Sequence, residues 1–184
     1  MFVTQATSDD VQSIARIHRK CWKDVYKFIP KEIHDARSLK FRLKQWNRVV
    51  ESPLDGERLF SLHEKTAKIV GFTYCKPNDD PDLDIVSELH ATYILKEYRG
   101  GISGPLLWRS GLGYAHKLGK VPIGFWAFDD NKAAIGYRFW GWKGVVKRDR
   151  NINGVKIPET GYVHPNIDSF LERLDEFIAL KLNE

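Results

Sequence analysis

Glu88 and His90 stand two residues apart in an extended stretch, and a glycine cluster follows them at Gly100, Gly101 and Gly104. Residues i and i+2 of a strand share a face, so Glu88, His90 and Thr92 are expected to point together. A carboxylate or an imidazole there could take a proton from a reacting group, and an unperturbed imidazole, with a pKa of about 6.5, suits that task near neutral pH. The run Leu89-His90-Ala91-Thr92-Tyr93-Ile94-Leu95, the glycines and a new apolar-periodic segment read as strand, glycine-rich turn and helix start, an order that aims backbone N–H groups at an anion. Plainer readings stand beside these: a solvated strand-end carboxylate, a hydrogen-bonded structural histidine, a surface turn. Cys75 with His90 would make a thiol nucleophile, but no third residue orders the pair. Asp79, Asp80, Asp82 and Asp84 could attract a cationic amine, yet closely spaced aspartates with two prolines mark a solvated loop, and the spacing is not that of an EF-hand.

Such residues need elements to hold them. Phe2 to Gln5 reads as a first strand, and Thr7 with Asp10 has capping-box spacing ahead of a helix running to about Tyr26, with Val11, Ile14, Ala15, His18, Trp22 and Val25 at helical intervals. Phe28-Ile29-Pro30 breaks it. A second amphipathic helix is predicted over Ser38 to Val50, with Leu39, Leu43, Trp46 and Val50 on one face. Arg58–Glu64 and Lys68–Cys75 read as a hairpin. After the glycine turn, Pro105 suits the first helical position and Gly119 the stop, with Leu107, Gly111, Tyr114, Ala115 and Leu118 as the buried stripe. Val121–Phe128 is a strand and Asn131–Trp140 a short helix. Gly144–Asp149 and Val155–His164 pair around Asn153-Gly154. Pro165 and Asn166 open a final helix whose stripe is Ile167, Phe170, Leu171, Leu174, Phe177 and Ile178.

The sequence of 184 residues, 42% hydrophobic, fits one soluble domain with a full core. Two cysteines, Cys21 and Cys75, form no disulfide framework and fit a reducing, cytoplasmic setting. No paired Cys/His spacing suggests a metal. The start, MFVTQATSDD, has no signal-peptide pattern, and no apolar run approaches membrane-spanning length. The net charge of +5 allows an anionic partner, but the basic residues are scattered and form no nucleic-acid motif.

The stretch ELHATYILKEYRGG, followed by LL, resembles the cofactor-binding core of the GNAT superfamily of N-acetyltransferases, as do ATSDDVQSIARIH, KIVGFTYCKP and FWAFDDNKAAIGYRFWGW in the same order. Two spacings depart from that pattern, each one residue short: the glycine loop, with Ser103 where a glycine is common, and the interval from Asn131 to Tyr137. The resemblance implies a mixed α/β (α+β) fold, a mostly antiparallel central sheet flanked by helices. It covers residues 1–164, leaving 165–184 as an extra C-terminal helix packed on the same domain or on a partner. It implies acetyl-CoA as co-substrate and direct transfer of the acetyl group to a primary amine of a small molecule or peptide. Glu88 is then the base, with His90 as the alternative, and Tyr137 the acid that protonates the leaving thiolate. Arg99, Gly100, Gly101, Ile102, Ser103 and Gly104 hold the pyrophosphate. Tyr93 and Ile94 offer backbone groups to pantetheine, which Asn131 also bonds. Trp22 and Tyr26, with His90, contact the acceptor, Phe28 and Trp46 being further aromatics on the first two helices. No nucleic acid or membrane is expected as partner, and the assembly is a monomer or a homodimer. The alternative function is a non-catalytic acyl-CoA-binding module of the same fold.

Overall fold

The computed structural model describes residues 1–183. Seven strands form one sheet in the order β1-β2-β3-β4-β5-β7-β6: β1 Phe2–Gln5, β2 Arg58–His63, β3 Ile69–Pro77, β4 Ser87–Ile94, β5 Ile123–Phe128, β6 Lys143–Ile152 and β7 Val155–Val163. All neighbours are antiparallel except β4 and β5. Helices α1 (Val11–Val25) and α3 (Leu39–Glu51) cover one face, burying Ile14, Ala15, Trp46 and Val49 against Leu59, Phe72, Tyr74 and Ala91. Helices α4 (Ser103–Lys117) and α6 (Ile167–Leu182) pack on the other, burying Leu112, Ala115, Phe170 and Leu174 against Leu89, Ile123 and Phe125. Two short helices, α2 (Lys31–Ala36) and α5 (Ala134–Phe139), complete the chain. Among the described residues no helix is long and apolar enough to cross a membrane.

Local chemistry explains most of the boundaries. Asp10 Oδ2 accepts from the Thr7 N–H at 3.0 Å, closing the expected capping box at a 3-10 turn that leads into α1. Ser38 caps α3 by accepting from the Phe41 N–H, and Asn166 caps α6 by accepting from the Ser169 N–H. Asn153 and Gly154, both at positive φ, turn the β6–β7 hairpin.

Three expectations need correction. Helix α4 begins at Ser103, so Pro105 is its third residue; a missing N–H is harmless anywhere in a first turn, where no intrahelical acceptor exists. Leu118 of the predicted stripe is exposed, and Leu112 takes its place in the core. The buried face of α3 is centred on Arg42, Trp46 and Val49, with Leu39, Leu43 and Val50 as flanks, so a charged residue occupies the middle of an apolar contact. Helix α2, one and a half turns long, went unread behind Pro30 because six residues carry too little periodicity.

Helix α6 docks on its own chain. Ile167, Phe170, Leu171 and Leu174 are buried, Arg109 Nε donates to Asp175 at 2.6 Å, and His116 pairs with Asp168 at 2.7 Å. Leu174 is fully enclosed, so Leu174→Ala is expected to cost about 2–5 kcal/mol in a chemical-denaturation titration. A loss below 1 kcal/mol would mean that the helix is not seated.

Candidate active site

Strands β4 and β5 are paired only at Ser87↔Ile123 and Glu88↔Gly124; beyond these residues they diverge. The opening between them is a cleft of about 770 Å³, within the usual range for small-ligand sites. Its walls are the β4 edge from Leu89 to Ile94, Phe125, Trp126 and Ala127 of β5, residues 24–28 at and just beyond the end of α1, and the turn 130–133 with Tyr137. A parallel pair that parts after two residues leaves main-chain groups unpaired, and an extended ligand can satisfy them as an added strand.

Close to the point of divergence the register of β4 on β3 slips. Tyr74 pairs with Ala91 but Cys75 with Leu89, so His90 is the extra residue of a β-bulge. The bulge resets the alternation: Leu89 packs towards α4 while Ala91 joins the α1/α3 core. Glu88, His90 and Thr92 therefore do not share a face as expected. Thr92 turns to the α4 side and bonds Thr73 at 2.7 Å, whereas Glu88 lies on the face opposite Leu89.

Glu88 and His90 still meet. Glu88 is only 4% exposed, and one carboxylate oxygen accepts from His90 Nδ1 at 2.9 Å while the other faces Lys76 Nζ at 3.3 Å. Burial is the largest influence on this carboxyl and opposes ionisation, but His90 and Lys76 together outweigh it and hold Glu88 below the ordinary carboxylate range. With Nδ1–H committed to Glu88, the other imidazole nitrogen, Nε2, is the lone-pair side. His90 lines the cleft; Glu88 stands behind it.

Tyr137 lines the same cleft from α5, with its ring 4.8 Å from Phe125 and 5.4 Å from Tyr162. Burial pushes its hydroxyl well above the usual tyrosine range, so it keeps its proton at neutral pH. Asn131 Nδ2 donates to the Tyr137 hydroxyl at 3.3 Å, and Asn131 Oδ1 accepts from the Ala133 N–H at 3.0 Å. Asn131 thus shapes the turn into α5 and orients the tyrosine from one position.

At the far end of β4, Gly100 and Gly101 take φ of +90° and +52°, conformations that other residues adopt only with strain, and they turn the chain into α4. The first N–H groups of that helix have no intrahelical acceptor and face outward from its start. Ser103 is buried with its hydroxyl on the Met1 sulfur, so only its backbone is on offer; Ile102 is the N-cap. Arg99 lines the cleft and donates Nε to the Ile94 carbonyl at 2.9 Å, which holds its guanidinium at the cleft beside Cys21. The Ile94 side chain packs beside Leu107, and Tyr93 turns its ring towards His18 at 4.7 Å. Ile94 therefore offers backbone to the opening, while the Tyr93 hydroxyl donates to that of Tyr26 at 3.4 Å.

Of the expected acceptor contacts, Tyr26 lines the cleft, and Trp22 lies one ring behind it at 4.7 Å. Phe28 also borders the cleft, while Trp46 is sealed in the α1/α3 core. Trp108, Phe125 and Trp126 form a wall that the sequence did not announce. The acidic loop serves the fold: Arg148 donates to Asp80, to Asp82 and to Glu159, and Lys76 pairs with Asp79. Cys75 is sealed in the core, where burial pushes its thiol up to about 12, an inert state.

No protein-family model matches the chain. It is 23% identical over 168 residues to an uncharacterised N-acetyltransferase, YuaI, of Bacillus subtilis, covering 91% of this chain and 94% of that one. Among solved structures it is similar to a ribosomal-protein-alanine N-acetyltransferase from Brucella melitensis, with a TM-score of 0.68 at 17% identity over 89% of this chain and 98% of the other. The fold is that of the GNAT acetyltransferases. A PaiA N-acetyltransferase from Thermoplasma acidophilum, solved with coenzyme A, has the same GNAT architecture, with a TM-score of 0.62 at 18% identity over 87% of this chain and 98% of that one.

Proposed function

We propose that the protein is an acetyltransferase that moves an acetyl group from acetyl-CoA directly to a primary amine of a small molecule or peptide. The observation that carries the reading is the Glu88–His90 pair at the narrow end of the cleft, with Tyr137 on the same cavity. A module that merely binds acyl-CoA has no use for a buried carboxylate aligning an imidazole.

Acetyl-CoA supplies a thioester, which an uncharged amine can attack. A lysine-like ammonium, with a pKa of about 10.4, must first lose its proton. His90 Nε2 takes that proton, while Glu88 fixes the tautomer and balances the imidazolium that results. This division of roles differs from the sequence expectation, because a carboxylate doubly paired and held below its ordinary range is a weak base. As the carbon–nitrogen bond forms and the carbon–sulfur bond breaks, the Tyr137 hydroxyl gives its proton to the departing sulfur; the second proton, shed by the new amide nitrogen, restores the tyrosine by way of solvent, and His90 releases the first to solvent. The α4 start, with Arg99, takes the pyrophosphate, and the free β4 edge takes the pantetheine.

Mass spectrometry of the purified protein for retained CoA, followed by an amine panel with a thiol-release assay, tests the activity. Gly104→Val tests the cradle. A Cβ there has no heavy atom within 4 Å and φ is not strained, so the fold should be intact while acetyl-CoA affinity falls at least tenfold by calorimetric titration. Unchanged affinity would remove the pyrophosphate from this turn.

A further inference from the structure

Arg42 is 3% exposed on α3, and among the described residues no carboxylate pairs with it. Its Nη1 donates to Gln45 at 2.8 Å, but Nε and Nη2 are buried without a partner. The guanidinium lies 5.2 Å from the Trp22 ring centre and 5.4 Å from that of Phe41. A second guanidinium, Arg37, sits over the same two rings at 5.9 and 5.1 Å. Two further polar atoms beside them are buried and unpartnered, Trp22 Nε1 and His18 Nδ1. Burial is the chief cause that lowers the pKa of Arg42 to about 10; Tyr93 opposes it, and Arg37, the weakest of the three influences, adds to the lowering. Burying a charge without a counter-charge is among the least favourable arrangements a fold can hold, and an anion reaching this cluster of unpartnered donors would supply the missing counter-charge.

The position of the cluster gives it a use. Trp22 contacts Tyr26 at 4.7 Å and His18 contacts Tyr93 at 4.7 Å, and both tyrosines line the cleft. Their hydroxyls are tied to each other by one 3.4 Å hydrogen bond, so this pair is the partition between cleft and cluster. We propose that the acceptor is an amine carrying an anionic group, a carboxylate in the first instance, which passes between Tyr26 and Tyr93 to pair with Arg42 while its amine remains at His90. Arg37 adds charge, and Trp22 Nε1 donates a hydrogen bond to the same group. This deepens the acetyltransferase reading and rests on it for the word acceptor, but the anion site itself does not depend on turnover.

Two measurements on the full chain test it. In thermal unfolding with CoA present, sodium acetate and sodium phosphate are compared with sodium chloride at matched ionic strength. The midpoint is expected to rise by several degrees with the first two in the wild type and not in Arg42→Met, and Arg42→Met in chloride is expected to be at least as stable as the wild type. If the variant is less stable in every salt and the wild type shows no anion-specific rise, Arg42 is a packing residue and the proposal fails. In kinetics, each of a set of amino acids is paired with its own carboxamide. The wild type is expected to favour the carboxylate by on the order of a hundredfold in kcat/KM, and Arg42→Met to lose that preference. A wild type that favours the amides, or a variant that keeps the preference, overturns it. If no acetyl-CoA binds and no amine is acetylated, the enzyme reading falls on its own, and the unfolding series still decides the anion site.

Discussion

His90→Ala is expected to lower kcat about 10²–10⁴-fold, the range for loss of a general base, while the affinity for acetyl-CoA barely moves. The bulge explains the separation of the two effects. Its extra residue points His90 at the narrow end of the cleft, whereas the proposed phosphate and pantetheine contacts lie further along β4 and at the start of α4. Glu88→Gln preserves shape and one acceptor but removes the charge that balances an imidazolium, so its loss is smaller, on the order of tenfold to a hundredfold. Free imidazole added to His90→Ala restores part of the rate and does nothing for Glu88→Gln, since only the first variant lacks a base. The reverse ranking, with Glu88→Gln dead and His90→Ala near normal, would return the base to the carboxylate. Steady-state thiol release with one accepted amine gives every arm of this comparison.

Much of this arrangement was legible in the sequence, and what was not has physical causes. Long apolar periods gave α1, α4 and α6, and local turn chemistry gave the β6–β7 hairpin, because both signals lie within a few residues of the feature they specify. The nearness of Glu88 and His90 followed from strand geometry, but the opposite orientation of Thr92 did not. That depends on how β3 pairs with β4, a contact between residues far apart in the chain, and nothing in ELHATYI marks where the register slips. The burial of Arg42 was hidden for a similar reason. Periodicity puts Leu39, Leu43, Trp46 and Val50 on the buried face, and only packing against α1 rotates the helix so that Arg42, Trp46 and Val49 lie at its centre. Nothing in the sequence marks Trp108 and Trp126 as cleft walls, because the parting of β4 and β5 that makes them so is itself a matter of tertiary pairing.

Tyr137→Phe removes one oxygen from a site whose other contacts are made by the ring. Phe125, Tyr162 and Trp108 pack on that ring at 4.8, 5.4 and 6.2 Å, so the variant should fold with unchanged acetyl-CoA affinity. What is lost is the proton at the departing sulfur and the acceptor for Asn131 Nδ2. kcat is expected to fall about tenfold to a thousandfold with little change in KM for acetyl-CoA, the pattern of an interaction made chiefly in the transition state. The raised proton affinity of the tyrosine sharpens the test: because burial keeps the hydroxyl protonated well past neutral pH, the wild-type rate should show no loss from tyrosine ionisation up to about pH 10. A donor of leaving-group protons also matters less when the leaving group is a better one. Acetyl thioesters of thiols more acidic than CoA should therefore narrow the gap between wild type and Tyr137→Phe, whereas a purely structural defect would leave the gap constant across the series. A gap that stays constant, or a variant with full turnover on acetyl-CoA, would reduce Tyr137 to a wall of the cleft and leave protonation of the thiolate to water.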